Sequence, residues 1–128
     1  MHISTPLSGE LAQYLDLSSA ELKLTAQNMA NLDTPGYRTL GFDFAAEMGR
    51  AAAEAGWGRR GGWKEIGPAT PKAGEVDGLL ERPDGNNVSM DREGLLLAET
   101  QMQFGLGVQL LHHEFQNLLM AINEGSKS

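Results

Sequence analysis

No cysteine occurs among the 128 residues, which excludes disulfide staples and thiolate chemistry and leaves the redox compartment unread. Aromatic side chains are scarce at 6%, thin material for a core built around rings. Basic residues are the minority, 10 against 17 acidic ones, for a formal net charge of −7. A nucleic-acid partner calls for a basic face, so that class is set aside. The acidity itself speaks to solubility rather than to fold. No apolar run approaches the ~20 residues of a membrane span, so no direct lipid insertion is expected. The opening Met1-His2-Ile3-Ser4-Thr5-Pro6 has neither a basic n-region nor an apolar h-region, and no cleaved secretory signal is expected.

Catalytic patterns are missing as well. The histidines are His2, His112 and His113. Adjacent helical residues point away from each other, so His112 and His113 do not share a metal. Glu114 does not complete a zinc-protease motif, which needs a second histidine four residues from the first. No phosphate-cradling loop and no nucleophile–base motif is found. The expectation is a protein with no catalytic, metal or cofactor-binding residues, and so no enzyme.

What is present is concentrated at the two ends. Thr5-Pro6 suits a helix start, with Ser8 a competing cap. Beyond it Leu11, Leu15, Ser18, Leu22, Thr25, Met29 and Leu32 recur in alternating steps of four and three, a coiled-coil-like seam. Tyr14, Leu17 and Leu24 form a second stripe off that seam, so one neighbour does not cover the whole apolar surface. The seam is read either as packing inside one domain or as contact between molecules.

The stretch Asn28-Met29-Ala30-Asn31-Leu32-Asp33-Thr34-Pro35-Gly36-Tyr37 stops this helix. Pro35 disfavours a helical Thr34 and Gly36 readily takes positive φ, so Thr34-Pro35-Gly36-Tyr37 suits a type II turn. Asn28 and Asn31 are read either as end-capping amides or as polar residues that fix the register of packed subunits. Phe42 and Phe44 flank Asp43 in a short extended segment or ring-anchored loop. Ala45 to Ala55 favours helix by propensity but offers few large side chains, so any helix there is expected to be short or frayed. Gly56 to Lys64 is a basic, glycine-rich island with Trp57 and Trp63, read as a loop whose tryptophan docks on a partner.

The second helix is expected from Ser89 to Asp91, where either residue can cap and Asp91 and Glu93 complement the helix dipole. Its seam runs Leu97, Gln101, Phe104, Val108, Leu111, Phe115, Leu118 and Ile122, and its length is about 45 Å at about 1.5 Å per residue. Gly105 and Gly107 imply a bend or a close backbone approach. The fold expected is mainly α, with two long terminal helices packing as an antiparallel coiled-coil-like pair, 1–33 and 89–128. A long irregular glycine-rich segment, 34–88, joins them. Such a chain is expected to be poorly folded alone and to become ordered on assembly.

Asn28-x-x-Asn31-x-x-Thr34-Pro35-Gly36-Tyr37-Arg38, followed by Phe42-Asp43-Phe44, resembles the N-terminal signature of the bacterial flagellar basal-body rod proteins. Asp84-Gly85-Asn86-Asn87-Val88, then Met90-Asp91-Arg92-Glu93 and Leu97-Ala98-Glu99-Thr100-Gln101, resembles the family's second signature. Within the family, the absence of a longer insertion after Tyr37 favours one of the two related proximal rod proteins over the other.

The resemblance implies a self-associating structural subunit of a periplasmic rod, exported by the flagellar type III apparatus without a cleaved signal. It gives Asn28, Asn31, Thr34, Pro35, Gly36, Tyr37, Phe42 and Phe44 a role in assembly. The helix-packing seam is Leu11, Leu15, Leu22, Met29, Leu97, Phe104, Val108, Leu111, Phe115, Leu118 and Ile122. Implied partners are other rod proteins, the rod–membrane-ring junction protein and the membrane ring. A helical adaptor or export chaperone is the alternative from another class; it would need no second signature.

Overall fold

The computed structural model describes residues 6–55 and 68–126. Three helices follow in chain order: α1 (Pro6–Ala30), α2 (Phe44–Ala55) and α3 (Met90–Ser126). Two short strands, β1 (Leu40–Gly41) and β2 (Gly74–Glu75), pair antiparallel with Leu40 opposite Glu75 and Gly41 opposite Gly74.

α3 begins as expected: the Ser89 hydroxyl accepts from the Arg92 N–H at 3.3 Å, satisfying one of the free donors of the first turn. With 37 residues it extends about 55 Å at about 1.5 Å per residue. α1 and α3 lie side by side and run antiparallel. Asn28 meets Glu93, Glu21 meets Thr100, and Leu15 lies against Gly107, so rising numbers on one helix meet falling numbers on the other. By the same register Pro6 stands level with Phe115, and the stretch 116–126 has no described partner on α1.

The middle of the chain is not irregular throughout. Where a short or frayed helix was expected, α2 runs for 12 residues. Asp43 caps it, its carboxylate accepting from the Ala46 N–H at 3.1 Å. Arg50 bridges Glu47 at 2.9 Å and Glu54 at 2.6 Å, pairs spaced three and four along one face. The small side chains, which looked too meagre to pack, let α2 come close to α1, and Ala51 is buried. Phe44 opens α2 and sets its ring edge-on to Tyr14 at 5.4 Å, with Phe42 stacked behind it at 6.3 Å. Thr5 and the island holding Trp57 and Trp63 lie outside the described residues.

The buried interior is mostly polar. Among the described residues, Leu11, Leu17, Ala51 and Val88 are the buried apolar ones, against Gln13, Ser18, Thr25, Asn28, Thr39, Asn86, Asn87, Glu93 and Thr100. With more polar than apolar residues fully enclosed, directional contacts carry much of what holds this fold together.

Candidate functional site

The two sequence signatures meet at one end of the helix pair and form a single polar joint. At its centre the Asn28 amide, 1% exposed, uses its full bonding capacity. Its Nδ2 donates to the Leu40 carbonyl at 2.8 Å and to Glu93 Oε2 at 3.1 Å. Its Oδ1 accepts from the Tyr37 hydroxyl and the Leu40 N–H, both at 3.0 Å. One side chain therefore ties α1 to the turn that follows it, to β1 and to the first turn of α3. Glu93 is fully buried, and its other oxygen accepts from Arg92 at 2.6 Å. That pairing compensates a carboxylate that burial alone would penalise heavily.

Around this centre the Asp84–Val88 loop closes the end of α1. Asn86 Nδ2 faces the carbonyls of Asn31, Leu32 and Thr34, each at 2.9 Å, and the Arg82 guanidinium also donates to the Leu32 carbonyl. The carbonyls just past the end of α1 are thus met by a segment more than fifty residues away, while those of its last turn are met locally by the Asn31 and Leu32 N–H groups. Asn87 Oδ1 accepts from the buried Thr39 N–H at 2.7 Å, and the Thr39 hydroxyl donates to the Asn87 carbonyl at 3.2 Å. Asn86 shapes its own loop, with Val88 N–H donating to its Oδ1 at 2.8 Å, an Asx-type turn.

Glycine is required at two points. Gly36 has φ +75° and the Tyr37 N–H donates to the Thr34 carbonyl at 3.2 Å, the geometry of a type II turn. Gly85 has φ +85°, and a Cβ there would stand 3.4 Å from Gly36 Cα. The turn and the loop approach closely, and Gly36 N–H donates to the Asp84 carbonyl at 2.9 Å.

Beyond the joint, α1 and α3 touch at a seven-residue repeat. Asn28, Glu21 and Tyr14 on α1 oppose Glu93, Thr100 and Gly107 on α3. At Gly107 a Cβ would lie 2.9 Å from Leu15 Cδ2 and 3.0 Å from Tyr14 Cδ1, so this glycine marks a close approach. Gly105 faces open space. The seam inside the chain is polar and small.

Of the residues singled out in the sequence, Asn28, Gly36, Tyr37 and Thr34 come together at the joint. Asn31 lies at its edge, its Nδ2 donating to the Gln27 carbonyl at 2.8 Å and its Oδ1 accepting from the Thr34 hydroxyl at 3.0 Å. Pro35 is exposed in the turn. Phe42 and Phe44 sit apart, Phe44 against Tyr14 and Phe42 stacked on Phe44. In the seam stripe Leu11 is buried, while Leu15, Leu22, Met29, Leu97, Phe104, Leu111 and Leu118 are half-buried. Val108, Phe115 and Ile122 are 46%, 60% and 49% exposed.

Thr39 was not singled out, Glu93 entered as a helix-dipole residue and part of a motif, and Asn86, Asn87 and Thr100 entered only as part of a motif. The available signal was the repeat Glu93, Thr100, Gly107, polar or small at every seventh position.

Two ionisable groups here are displaced from their ordinary range. The Tyr37 phenol is raised, chiefly by burial and further by the Glu93 charge, with a hydrogen bond from Gln27 acting against both. It therefore stays protonated and keeps donating to Asn28. Glu21 is also raised, chiefly by burial and to a lesser degree by Glu99, with the Thr100 hydrogen bond and Arg92 opposing. Among the described residues no group of three or more His, Cys, Asp or Glu is placed to hold a metal ion. No described helix is long and apolar enough to cross a membrane. The arrangement positions helices.

No family model matches the chain. Among curated proteins, the flagellar basal body rod protein FlgB of Borrelia hermsii is 32% identical, over 91% of this chain and 96% of the relative. FlgB of Cereibacter sphaeroides is 32% identical over 89% and 91%. FlgB of Salmonella typhimurium is 28% identical over 88% and 89%. With identity of this level along nearly the whole of both chains, and with both signatures converging on one joint, the chain belongs to the FlgB family of flagellar basal body rod proteins.

Proposed function

We propose that this chain is a structural, non-enzymatic subunit of the flagellar basal-body rod, standing in its proximal part and serving the drive shaft that crosses the periplasm. The observation that carries the reading is the division between polar and apolar surfaces. The polar joint spends its hydrogen bonds within the chain, while α3 turns Leu95, Met102, Leu106 and Phe115, each more than half exposed, outward. Exposed apolar residues along one long helix suit a protein whose work is packing against neighbours.

On this reading copies of the chain self-associate in a helical assembly and meet other rod proteins, the rod–membrane-ring junction protein and the membrane ring. The chain leaves the cell interior through the flagellar type III apparatus without a cleaved signal. Asn28, Asn31, Thr34, Pro35, Gly36 and Tyr37 keep the joint, and Phe42 and Phe44 the contact between α1 and α2, in the shape that assembly needs, and the half-exposed seam residues contact neighbouring subunits. A deletion strain tests this directly. Loss of motility, with no rods in purified basal bodies, is expected. Normal rods without the protein refute it.

A further inference from the structure

A cleft of about 130 Å³ opens where α1, β1 and α3 meet, walled by Glu21, Leu24, Leu40, Phe42, Arg92 and Leu96 among others. Its size is that of one long side chain. Apart from Thr25 and Gly41, the walls are aliphatic or aromatic except for the Glu21 and Glu93 carboxylates and the Arg92 guanidinium. Arg92 is already engaged by Glu93 at 2.6 Å, so Glu21 supplies the unbalanced charge.

Glu21 is poorly served inside the chain. Among the described residues its hydrogen bond comes from the Thr100 hydroxyl at 3.2 Å, and that single proton is better placed on the Leu96 carbonyl at 2.7 Å. Among the described residues no cation stands within ion-pair distance of it. A half-buried carboxylate with aliphatic walls matches a lysine, whose stem can line an apolar surface while its ammonium reaches the charge.

The chain carries a lysine in the complementary place. Lys23 is exposed and, among the described residues, has no ion pair. Two positions along an α-helix correspond to a rotation of about 200° and a rise of about 3 Å. Lys23 and Glu21 therefore stand at almost the same height on opposite faces of α1.

We propose that Lys23 of a second copy inserts into the Glu21 cleft. A contact that joins opposite faces of one subunit is head-to-tail, and it propagates copies around a ring or along a helix rather than closing a pair. The inference rests on the rod reading and adds to it which two faces meet.

Two experiments in a strain expressing the full chain test the contact. Lys23→Glu alters an exposed residue and leaves the joint intact; it is expected to lose rods from basal bodies, while Lys23→Arg retains them. Separately, Leu24→Cys in the cleft wall and Ala26→Cys beside Lys23 are co-expressed and treated with a bismaleimide, both charges being kept. The natural chain has no cysteine, so a linked dimer that forms only when both variants are present supports the pairing. Wild-type rod numbers with Lys23→Glu overturn it, as does the absence of that dimer or its formation by either variant alone. If a deletion strain lacks rods while Lys23→Glu builds them normally, the pairing fails and the rod reading stands.

Discussion

Replacing Asn28 with leucine removes the centre of the joint while nearly preserving its volume. Four partners lose their bonds: the Leu40 N–H, the Leu40 carbonyl, the Tyr37 hydroxyl and Glu93 Oε2. An unsatisfied buried group costs about 1–3 kcal/mol. Tyr37 and Leu40 are half-buried, so water partly replaces what they lose, whereas Glu93 is fully enclosed. Charging Glu93 in full and the others in part gives about 3 kcal/mol, roughly 150-fold in the opening of the joint. The Thr39 amide reports that opening cleanly, since it is buried and bonded to Asn87 rather than to Asn28. Its hydrogen-exchange protection should fall by roughly two orders of magnitude in Asn28→Leu. Asn31→Leu is the control: its amide reaches Gln27 and Thr34 at the surface, and about 1 kcal/mol, roughly fivefold, is expected. A fall of less than about tenfold for Asn28→Leu, or equal falls in the two variants, refutes the argument.

The two helical glycines should respond in opposite directions. Gly105→Ala adds a methyl to open space and should stabilise by about 1 kcal/mol, whereas Gly107→Leu drives into Leu15 and Tyr14 and should cost about 1–3 kcal/mol by overpacking; denaturant midpoints compare them. Gly85→Ala forces a non-glycine residue to φ +85° beside Gly36 and should destabilise by about 1–2 kcal/mol, read from the same curves. Burial raises Glu21, so the folded chain holds that proton more tightly than the unfolded one. This contribution to stability is present below the unfolded value and is lost as pH rises through the folded one. Glu21→Gln should flatten that decline, and an unchanged pH profile would count against it. Residues 116–126 have no described partner on α1, and their amides should exchange freely in the dilute chain and become protected in assembled rods.

The helices were legible in the sequence because their signals are local. Period, cap and stop all lie within a few residues of one another, as at Ser89 and at Thr34–Tyr37. The antiparallel pairing was legible too, but which faces of the two helices meet was less so. The apolar stripe Leu97, Phe104, Val108, Phe115 has the cleaner spacing, yet the side-chain hydrogen bonds to α1 and the close approach at a glycine fall at Glu93, Thr100 and Gly107. Periodicity marks which residues share a face; it does not say which partner that face meets. α2 was underestimated for a related reason. Alanine contributes little to a hydrophobic pattern, but it permits close approach to another helix, and that gain depends on a neighbour that lies elsewhere in the chain. Asn86 could be recognised as a turn residue, whereas its part in closing the end of α1 rests on carbonyls more than fifty positions earlier. No local rule reaches that far.

The polar seam also explains how so small an enclosed core can hold two long helices in one arrangement. Apolar faces attract without direction, and a helix pair joined only by leucines can slide by a turn at modest cost. A hydrogen-bonded set is less forgiving. Moving α1 by one turn along α3 would separate Asn28 from Glu93 and Asn86 from the three carbonyls that follow α1. Each buried group left unmet adds its own penalty. The net gain from such bonds is small, so they specify one shape without conferring great stability. That balance fits a subunit whose apolar residues are kept for its neighbours. The joint fixes how α3 leaves α1, and the exposed side of α3 is then presented in one defined direction, which a repeating lattice requires of every copy.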